Sequence, residues 1–464
     1  MTDHDAYVSP FSWRYASPEM RRLWGEAQKR RTWRKIWVAL AQAQSEFGLV
    51  KPEQVAELRS RMNDIDLDRA LAIEAEIHHD LMAEVRTFAE QCPNAGGIIH
   101  LGATSMDIED NADAIRLRQA MDLILQRLTA LLQAFSTRIR QTAGLPIIAF
   151  THLQPAEPST LGYRLSLYAQ DLLNDMQDLR RIRTDLRGKG FKGAVGTAAS
   201  YYELIGGENY PRFEQRLSSL LDIPFFEVTS QTYPRRQDYI ILSALAALGI
   251  SIYKFAFDLR LMQSPVIGEW NEPFGEKQVG SSAMPFKRNP INAEKIDSLA
   301  RMLASLPQTA WHNAAHSLLE RTLDDSANRR TLLPEAFLIC DELLRTTRRL
   351  VEGLKVNQDA LQRNLANYAP FASTERLLMA LVKAGADRQA MHEVLRDLAM
   401  QAWKSVQAGQ PNPLADLILA SPEIRAHLSN EQVQPLLQVD EYTGIAAQRA
   451  NQLADTIEQL LSGA

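Results

Sequence analysis

The sequence predicts an all-α protein whose central part is a bundle of very long helices. Residues 103–143 contain neither Gly nor Pro, the residues that most often end a helix. Within this stretch apolar residues recur at spacings of three and four, as they do on one face of a helix. They are Met121, Ile124, Leu125, Leu128, Leu131, Leu132, Phe135 and Ile139. One helix of this length would span on the order of 60 Å at about 1.5 Å per residue.

Further stretches with few breakers predict the other helices of the bundle. They cover residues 163–187, 235–264, 291–306, 308–333 and 335–352. Pro307 and Pro334 separate the last three stretches, because proline lacks the backbone N–H that a helix interior requires.

Shorter helical patterns on both sides of the bundle predict two flanking domains. Residues 18–47 and 52–59 carry such patterns, and the G-Q-P-N-P loop at 409–413 divides the end of the chain. We expect three segments: an N-terminal helical domain at 1–104, the bundle at 105–355 and a C-terminal helical domain at 356–464. A helix as long as 103–143 exposes apolar surface along its whole length, which predicts self-association through the bundle.

Composition and charge limit the classes of function. The chain has 464 residues, enough for about three domains. Its net charge is −5, which argues against a nucleic-acid partner. Two cysteines cannot form a disulfide framework and favour a reducing, cytoplasmic setting. The amino terminus lacks the pattern of a signal peptide, and we expect no membrane span.

The first polar segment among the helices is His78-His79-Asp80. A His beside an Asp can be a base with its orienting partner. Neighbouring residues on a helix do not face each other, so these residues alone favour a helix-surface pair.

The second segment, residues 98–105, precedes the long helix. Thr104 or Ser105 fits its N-cap, and a helix start can also bind an anion. His100, between apolar residues, is interpreted as a buried histidine with satisfied hydrogen bonds. The third segment, 150–156, places His152 beside a proline-containing break, which leaves structural and functional roles equally open.

The fourth segment is G-S-S-A-M-P-F-K-R-N-P at residues 280–290, within a loop at 275–290. Small residues lead into two prolines, with cations and an Asn beside a new helix start. This combination suits a mobile loop that carries hydroxyls and cations to an anionic ligand. The alternative is a solvated loop with a routine proline at the helix start. Four cations against two carboxylates leave a local excess of +2 charges, which favours a functional role for this loop. The cations are Lys287, Arg288, Lys295 and Arg301, and the carboxylates are Glu294 and Asp297.

A fifth stretch, residues 320–330, introduces three arginines into an apolar helix. Charged helix faces are usually just solvated. At helical spacing, however, Arg321, Ser326 and Arg330 could form a row that binds a phosphate.

Together these segments resemble a known family. The 280–290 segment is similar to the signature loop of the fumarase, aspartase and argininosuccinate lyase superfamily, whose members eliminate fumarate from a succinyl-bearing substrate. Within it the chain resembles the adenylosuccinate lyases. The segments that carry this resemblance are 9–20, 98–105, 150–156, 230–236, 320–330 and 382–393.

The resemblance implies a homotetrameric lyase of purine nucleotide biosynthesis with active sites shared between subunits. It would split adenylosuccinate into AMP and fumarate, and would also cleave the succinylated aminoimidazole carboxamide ribotide. Ser281 would be the general base, His152 the general acid and Glu294 the carboxylate that orients His152. A serine is a poor base unless its anion is stabilised, and cations near the loop fit that need.

The resemblance also implies a substrate-binding set and no metal or organic cofactor. Lys287 and Asn289 would hold the fumarate carboxylates. Nucleotide and phosphate contacts would come from Arg14, Tyr15, Arg321, Ser326 and Arg330. The remaining substrate shell would be Thr104, Ser105, His79, Asp80 and Gln231. His78 and Lys295 belong to the anion contacts but depart from the family pattern, which usually has Arg at both positions.

Two alternatives stay open from the sequence. One is a related lyase that acts on argininosuccinate or a carboxymuconate and does not need the Arg14–Tyr15 pair. The other is a helical scaffold that kept the fold and lost the chemistry, although Ser281, His152 and Lys287 are all present.

Overall fold

A computed structural model describes residues 5–438 and 442–462. The ends of the predicted segments at 1–4 and 463–464, and residues 439–441 of the predicted C-terminal domain, lie outside the described residues.

Helices form most of the described chain, in agreement with the predicted class. The first nine are α1 (Pro18–Trp24), α2 (Glu26–Glu46), α3 (Pro52–Arg61), α4 (Leu67–Ile77), α5 (Asp80–Gln91), α6 (Ser105–Thr142), α7 (Leu161–Asp185), α8 (Ala199–Ile205) and α9 (Tyr210–Leu221). The others are α10 (Arg236–Met262), α11 (Ile291–Ala315), α12 (Ser326–Gly353), α13 (Gln358–Lys383), α14 (Arg388–Gln407), α15 (Leu414–Ala420), α16 (Pro422–Arg425), α17 (Asn430–Val433) and α18 (Ala446–Ser462). Short 3-10 helices cover Pro10–Ser12, Gly96–Ile98 and Gln434–Leu437.

Two small antiparallel sheets complete the described elements. Strand β1 (Pro146–Thr151) pairs with β2 (Gln154–Thr160), and β3 (Trp270–Asn271) pairs with β4 (Lys355–Val356). The sequence did not predict the β1–β2 hairpin, because its strands are short and contain prolines.

The chain forms two compact units, each assembled from three separate stretches. The first unit comprises Met1–Leu128, Asp175–Ile250 and Ser298–Arg345, and the second comprises Thr129–Asn174, Ser251–Asp297 and Thr346–Ala464. Five long helices contribute residues to both units: α6, α7, α10, α11 and α12. The division into 1–104, 105–355 and 356–464 stays a prediction.

The core of the first unit includes a buried cluster of opposite charges on α2 and α5. Glu84 accepts from Arg30 Nη1 at 3.0 Å and from Arg34 Nε at 2.6 Å, and all three side chains are buried. The ring of Trp37 lies 6.3 Å from that of Phe88 beside this cluster. Buried charges need such pairing, so this triad fixes α2 against α5.

The second unit has an aromatic core and a separate aliphatic cluster. Phe255 on α10 contacts Phe135 on α6 and Tyr168 on α7, each with ring centroids 5.4 Å apart. The β1–β2 hairpin packs on α13 through Ile148 and Ala369. Helices α13 to α16 share buried residues that include Leu377, Leu395, Leu414, Ile418 and Ile424.

The predicted long helix at 103–143 is confirmed, because α6 runs from Ser105 to Thr142 without interruption. The predicted breaks at Pro307 and Pro334 are wrong, since both residues lie inside helices. A proline costs a helix about 3 kcal/mol. Buried neighbours on the same helices offset this cost: Leu303, Ala310, Leu333 and Ala336.

The predicted helix at 308–333 is also wrong, because the chain leaves the helix between α11 and α12. No Gly or Pro marks this break, and Leu319 takes a positive φ of 46° there. Asp325 is buried and bonded to Arg321 and Arg235, so side-chain ion pairs hold this segment away from helical geometry.

One described helix, α10, is long and apolar enough to cross a membrane, with a mean hydropathy of 1.9 over 18 residues. Half of that window is buried inside the structure, and core helices of soluble proteins pass the same test. The feature is therefore weak evidence for a membrane span.

Glu84→Ala should destabilise the protein by about 3–5 kcal/mol, because it leaves the buried Arg34 without a carboxylate and Arg30 with only Glu74 at 3.4 Å. Urea unfolding followed by circular dichroism measures the loss. Glu90→Ala on the same helix is the matched control: Glu90 pairs with Arg69 at the surface, where water screens the charges, so its loss should destabilise the protein much less. Equal losses from the two variants would contradict the interpretation.

Candidate active site

The residues singled out from the sequence fall into two groups, one in each unit. The first unit contains Arg14, Tyr15, His78, His79, Asp80, Thr104, Ser105, Gln231, Arg321, Ser326 and Arg330. The second unit contains His152, Ser281, Lys287, Asn289, Glu294 and Lys295.

Arg14 and Tyr15 follow the short helix Pro10–Ser12, whose start is capped by Ser9. The next two residues are anchored to α12. The Ala16 N–H donates to Glu342 Oε2 at 3.1 Å, and the Ser17 N–H donates to Asp341 Oδ2 at 2.6 Å. These two bonds fix the backbone that presents Arg14 and Tyr15.

His78, His79 and Asp80 form the junction between α4 and α5, so they are not neighbours on one helix surface as the sequence alone favoured. His78 ends α4 with a left-handed φ of 53°. His79 caps α5 by accepting the Met82 N–H at Nδ1, and Asp80 is the first residue of that helix. Burial opposes ionisation of Asp80, but the Arg330 guanidinium at 2.9 Å keeps the pKa of Asp80 below its ordinary value.

Thr104 occupies the N-cap position of α6, and Ser105 begins the helix. The Thr104 N–H donates to Asp107 Oδ2 at 3.0 Å, a capping bond from the third helical residue. Asp107 is buried, is paired with Lys189 and accepts from the Tyr201 hydroxyl at 3.3 Å. This carboxylate therefore fixes the helix start that carries Thr104 and Ser105. His100 has the predicted hydrogen bond, because its Nδ1 accepts from Trp37 Nε1 at 3.1 Å, but the residue is half-buried and not buried as predicted.

Arg321, Ser326 and Arg330 line one cleft of about 100 Å³ in the first unit. Arg321 precedes α12, Ser326 is its first residue, and Arg330 lies one turn later. The Arg321 Nη1 donates to Asp325 at 2.9 Å. The Gln231 N–H donates to the Glu320 carbonyl at 3.1 Å, which brings that segment beside Arg321. The predicted row therefore exists, although a loop and a helix start form it instead of one helix.

A buried network of ion pairs supports the start of α12. Arg235 donates to Asp110 at 3.0 Å and to Asp325 at 2.6 Å. Arg329 donates to Asp238 at 2.8 Å and to the Tyr233 hydroxyl at 2.7 Å. The network links α6, α10 and the residues around 325, so the cleft has a rigid base.

In the second unit, His152 lies in the two-residue turn of the β1–β2 hairpin. His152 and Leu153 both have positive φ, 54° and 60°, which is the geometry of a type I′ turn. Residues with a Cβ rarely adopt this conformation, and the usual choice is Asn-Gly. The turn leaves the His152 side chain exposed at the hairpin tip.

Ser281 is the centre of a local hydrogen-bond arrangement in the 275–290 loop. Its Oγ accepts from the Ala283 N–H at 3.3 Å and from the Met284 N–H at 3.1 Å. Two donors aimed at one hydroxyl oxygen favour its anionic form. The geometry thus supplies part of the stabilisation that a serine base requires.

The two ends of the 280–290 segment of this loop lie against each other. The Asn289 side-chain amide donates to the Gly280 carbonyl at 3.2 Å. A Cβ on Gly280 would lie 2.2 Å from the Lys287 carbonyl oxygen, so only glycine permits this approach. Lys287 itself is exposed, and Glu294 is exposed on the first turn of α11 beside Lys295.

Within the part of the chain that the structure describes, no hydrogen bond joins Glu294 to His152. The orienting role of Glu294 stays a prediction. A search of the same residues finds no group of three or more His, Cys, Asp or Glu that could hold a metal ion.

Comparisons with known proteins show the family of this chain. A family model described as lyase matches residues 3–303, and one described as adenylosuccinate lyase C-terminus matches residues 370–453. The adenylosuccinate lyase of Saccharomyces cerevisiae is 39% identical over 97% of this chain and 94% of its own length. The chain belongs to the adenylosuccinate lyase family. The Schistosoma mansoni member is 40% identical over 90% of this chain and 88% of its own length.

Solved structures show that this family member has the fold of the wider superfamily. A 3-carboxy-cis,cis-muconate lactonizing enzyme from Pseudomonas putida superposes with a TM-score of 0.86 at 24% identity. The match covers 97% of this chain and 99% of that one. At this identity the likeness concerns the fold alone.

Sequence reasoning missed the buried residues that support the candidate site. The predicted site residues did not include Asp107, Asp110, Arg235 or Arg329, all of which are buried and ion-paired. Their signal was present, since buried charges in apolar helices need partners, but the partners lie far apart in sequence.

Proposed function

We propose that the chain eliminates fumarate from adenylosuccinate to give AMP, a step of purine nucleotide biosynthesis. The observation that carries this proposal is the cleft where Arg321, Ser326 and Arg330 converge. It occurs in a chain that is 39% identical to a protein named adenylosuccinate lyase. The succinylated aminoimidazole carboxamide ribotide is proposed as a second substrate, because it carries the same succinyl and phosphate groups.

In this proposal the nucleotide phosphate binds at the start of α12. Two guanidiniums and a helix N-terminus are together a strong phosphate site. Arg330 is already paired with Asp80 at 2.9 Å, so the phosphate would compete with that carboxylate for the guanidinium. The other nucleotide and substrate contacts proposed in this unit are Arg14, Tyr15, His78, His79, Thr104, Ser105 and Gln231.

The succinyl group would react with residues of the second unit. Ser281, as the alkoxide, takes the proton from the carbon next to a carboxylate, and the electron pair delocalises into that carboxylate as an aci-carboxylate. Collapse of this anion forms the double bond of fumarate and breaks the C–N bond, while His152 protonates the departing nitrogen. Lys287 and Lys295 would offset the carboxylate charges, Asn289 would donate a hydrogen bond to a carboxylate, and Glu294 would orient His152.

Self-association is proposed to complete the enzyme as a homotetramer with shared active sites. Large apolar side chains are exposed on the long helices, including Tyr163 and Leu167 on α7 and Ile250 and Phe257 on α10. Ile250 and Phe257 are seven residues apart, two turns along one helix face.

Buried, unpaired cysteines are consistent with the proposed cytoplasmic location.

Purified protein given adenylosuccinate should lose the substrate absorbance and release fumarate. We expect Ser281→Ala and His152→Ala each to lower kcat by about 10²–10⁴-fold, the usual contribution of a general base or acid. Ser282→Ala, in the same loop, is the matched control and should keep the parent rate. Turnover in His152→Ala equal to that of the parent would mean that the activity does not come from this site.

Arg321→Ala should raise KM for adenylosuccinate by about 10–100-fold, because a charge-assisted bond to phosphate is lost. The control Arg301→Ala removes an exposed arginine of α11 and should leave KM unchanged. Cleavage of argininosuccinate or a carboxymuconate in preference to adenylosuccinate, unaffected by Arg321→Ala, would assign the chain to another activity.

Ile250→Glu should lower the molar mass measured by light scattering from four chains to a smaller assembly, because it places a charge in the proposed apolar interface. Leu71→Glu changes an exposed leucine of α4 and should leave the mass unchanged. An unchanged mass for Ile250→Glu would remove α10 from the proposed interface.

A further inference from the structure

Glu109 lines the same cleft as Arg321, Ser326 and Arg330 but has no role in the chemistry described above. It lies on α6, one turn after Ser105. The other carboxylates that line the cleft each have a cation partner: Glu26 with Lys29 at 2.8 Å, Asp80 with Arg330 at 2.9 Å, Asp110 with Arg235 at 3.0 Å and Asp113 with Arg329 at 3.2 Å. Among the described residues, none forms an ion pair or hydrogen bond with the Glu109 carboxyl.

The charged groups around Glu109 disfavour its ionisation. Three carboxylates surround it, Asp80 from α5 and Asp110 and Asp113 from α6. The nearby guanidinium is that of Arg330, which Asp80 already engages. The two remaining arginines of the cleft are also occupied, Arg116 with Asp113 at 3.8 Å and Arg321 with Asp325 at 2.9 Å. Burial first, and then the charge of Asp80, raise the pKa of Glu109 to about 8.

At pH 7 the Glu109 side chain is therefore mostly a neutral acid that can donate one O–H. A phosphate dianion bound between Arg321 and Arg330 would add negative charge to this group of carboxylates. Like charges at short range repel, and they repel more strongly in a cleft than in open water. A proton on Glu109 removes this repulsion and replaces it with a hydrogen bond.

We propose that Glu109 is a positioning residue that donates a hydrogen bond from its neutral carboxyl to the nucleotide phosphate, so that nucleotide binding above neutral pH takes up a proton. The inference rests on the proposed function, because it requires the phosphate to occupy this cleft. It also makes Glu109 a determinant of specificity for phosphate-bearing substrates.

Isothermal titration of AMP at pH 8, in HEPES and in Tris, measures the protons taken up, because the two buffers differ in ionisation enthalpy. We expect uptake of about half a proton per AMP, and an AMP affinity that falls about tenfold between pH 7 and pH 9. In Glu109→Gln, which keeps a neutral donor, the affinity should change little over this range and the uptake should disappear.

Glu335→Gln is the matched control. Burial also raises the pKa of Glu335, but Glu335 does not line the cleft, so its variant should take up protons like the parent. Equal uptake in the parent and Glu109→Gln would overturn the inference. So would the absence of uptake in the parent, a result that needs no variant. Failure of the parent to bind AMP at pH 7 would instead overturn the phosphate site itself.

Discussion

A buried alternation of opposite charges holds the start of α12, and with it the base of the cleft, in place. Asp110, Arg235 and Asp325 follow one another in contact, and Arg329 joins them through Asp238 and Tyr233. Each charge is excluded from water and is tolerable only because its neighbours have the opposite sign. The start of α12 can therefore occupy only the position that keeps every pair intact. The neighbouring side chains of Arg321, Ser326 and Arg330 take their positions from this network, and Asp110, Arg235 and Arg329 themselves form part of the cleft lining.

The helical part of the fold was predictable because its signal is local. A face of apolar residues and the absence of breakers located α6 to within a few residues at each end. The same reasoning failed at Pro307 and Pro334, where burial of neighbouring residues outweighs a local preference. It failed again at 316–325, where long-range ion pairs end a helix that local sequence would continue. The β1–β2 hairpin was missed because prolines interrupt the local strand pattern, and its packing on α13 is a contact distant in sequence.

The residues of the candidate site also fall into two groups, those that a local sequence pattern predicts and those that it does not. Residues that would meet a ligand lie in short segments of unusual composition, and these segments identified Ser281, Lys287 and Arg321 without a structure. Residues that support them, such as Asp107 and Arg235, occupy ordinary helix or loop positions and acquire their importance only from partners distant in sequence. Glu109 is the opposite case, because it has no ion-pair or hydrogen-bond partner among the described residues. Its significance comes from the absence of a partner among the described residues, a property that exists only in three dimensions.

The contact between Gly280 and the Lys287 backbone has a consequence for the geometry of the reaction. Together with the bond from Asn289 to the Gly280 carbonyl, it makes residues 280–289 a closed ring within the longer loop. The distance between the Ser281 hydroxyl and the Lys287 backbone is then set inside the ring, independently of how the ring is attached. If the loop moves, Ser281 and the Lys287 backbone would move together, so the proposed base and the backbone of the proposed carboxylate-binding residue would keep their separation in every position of the loop.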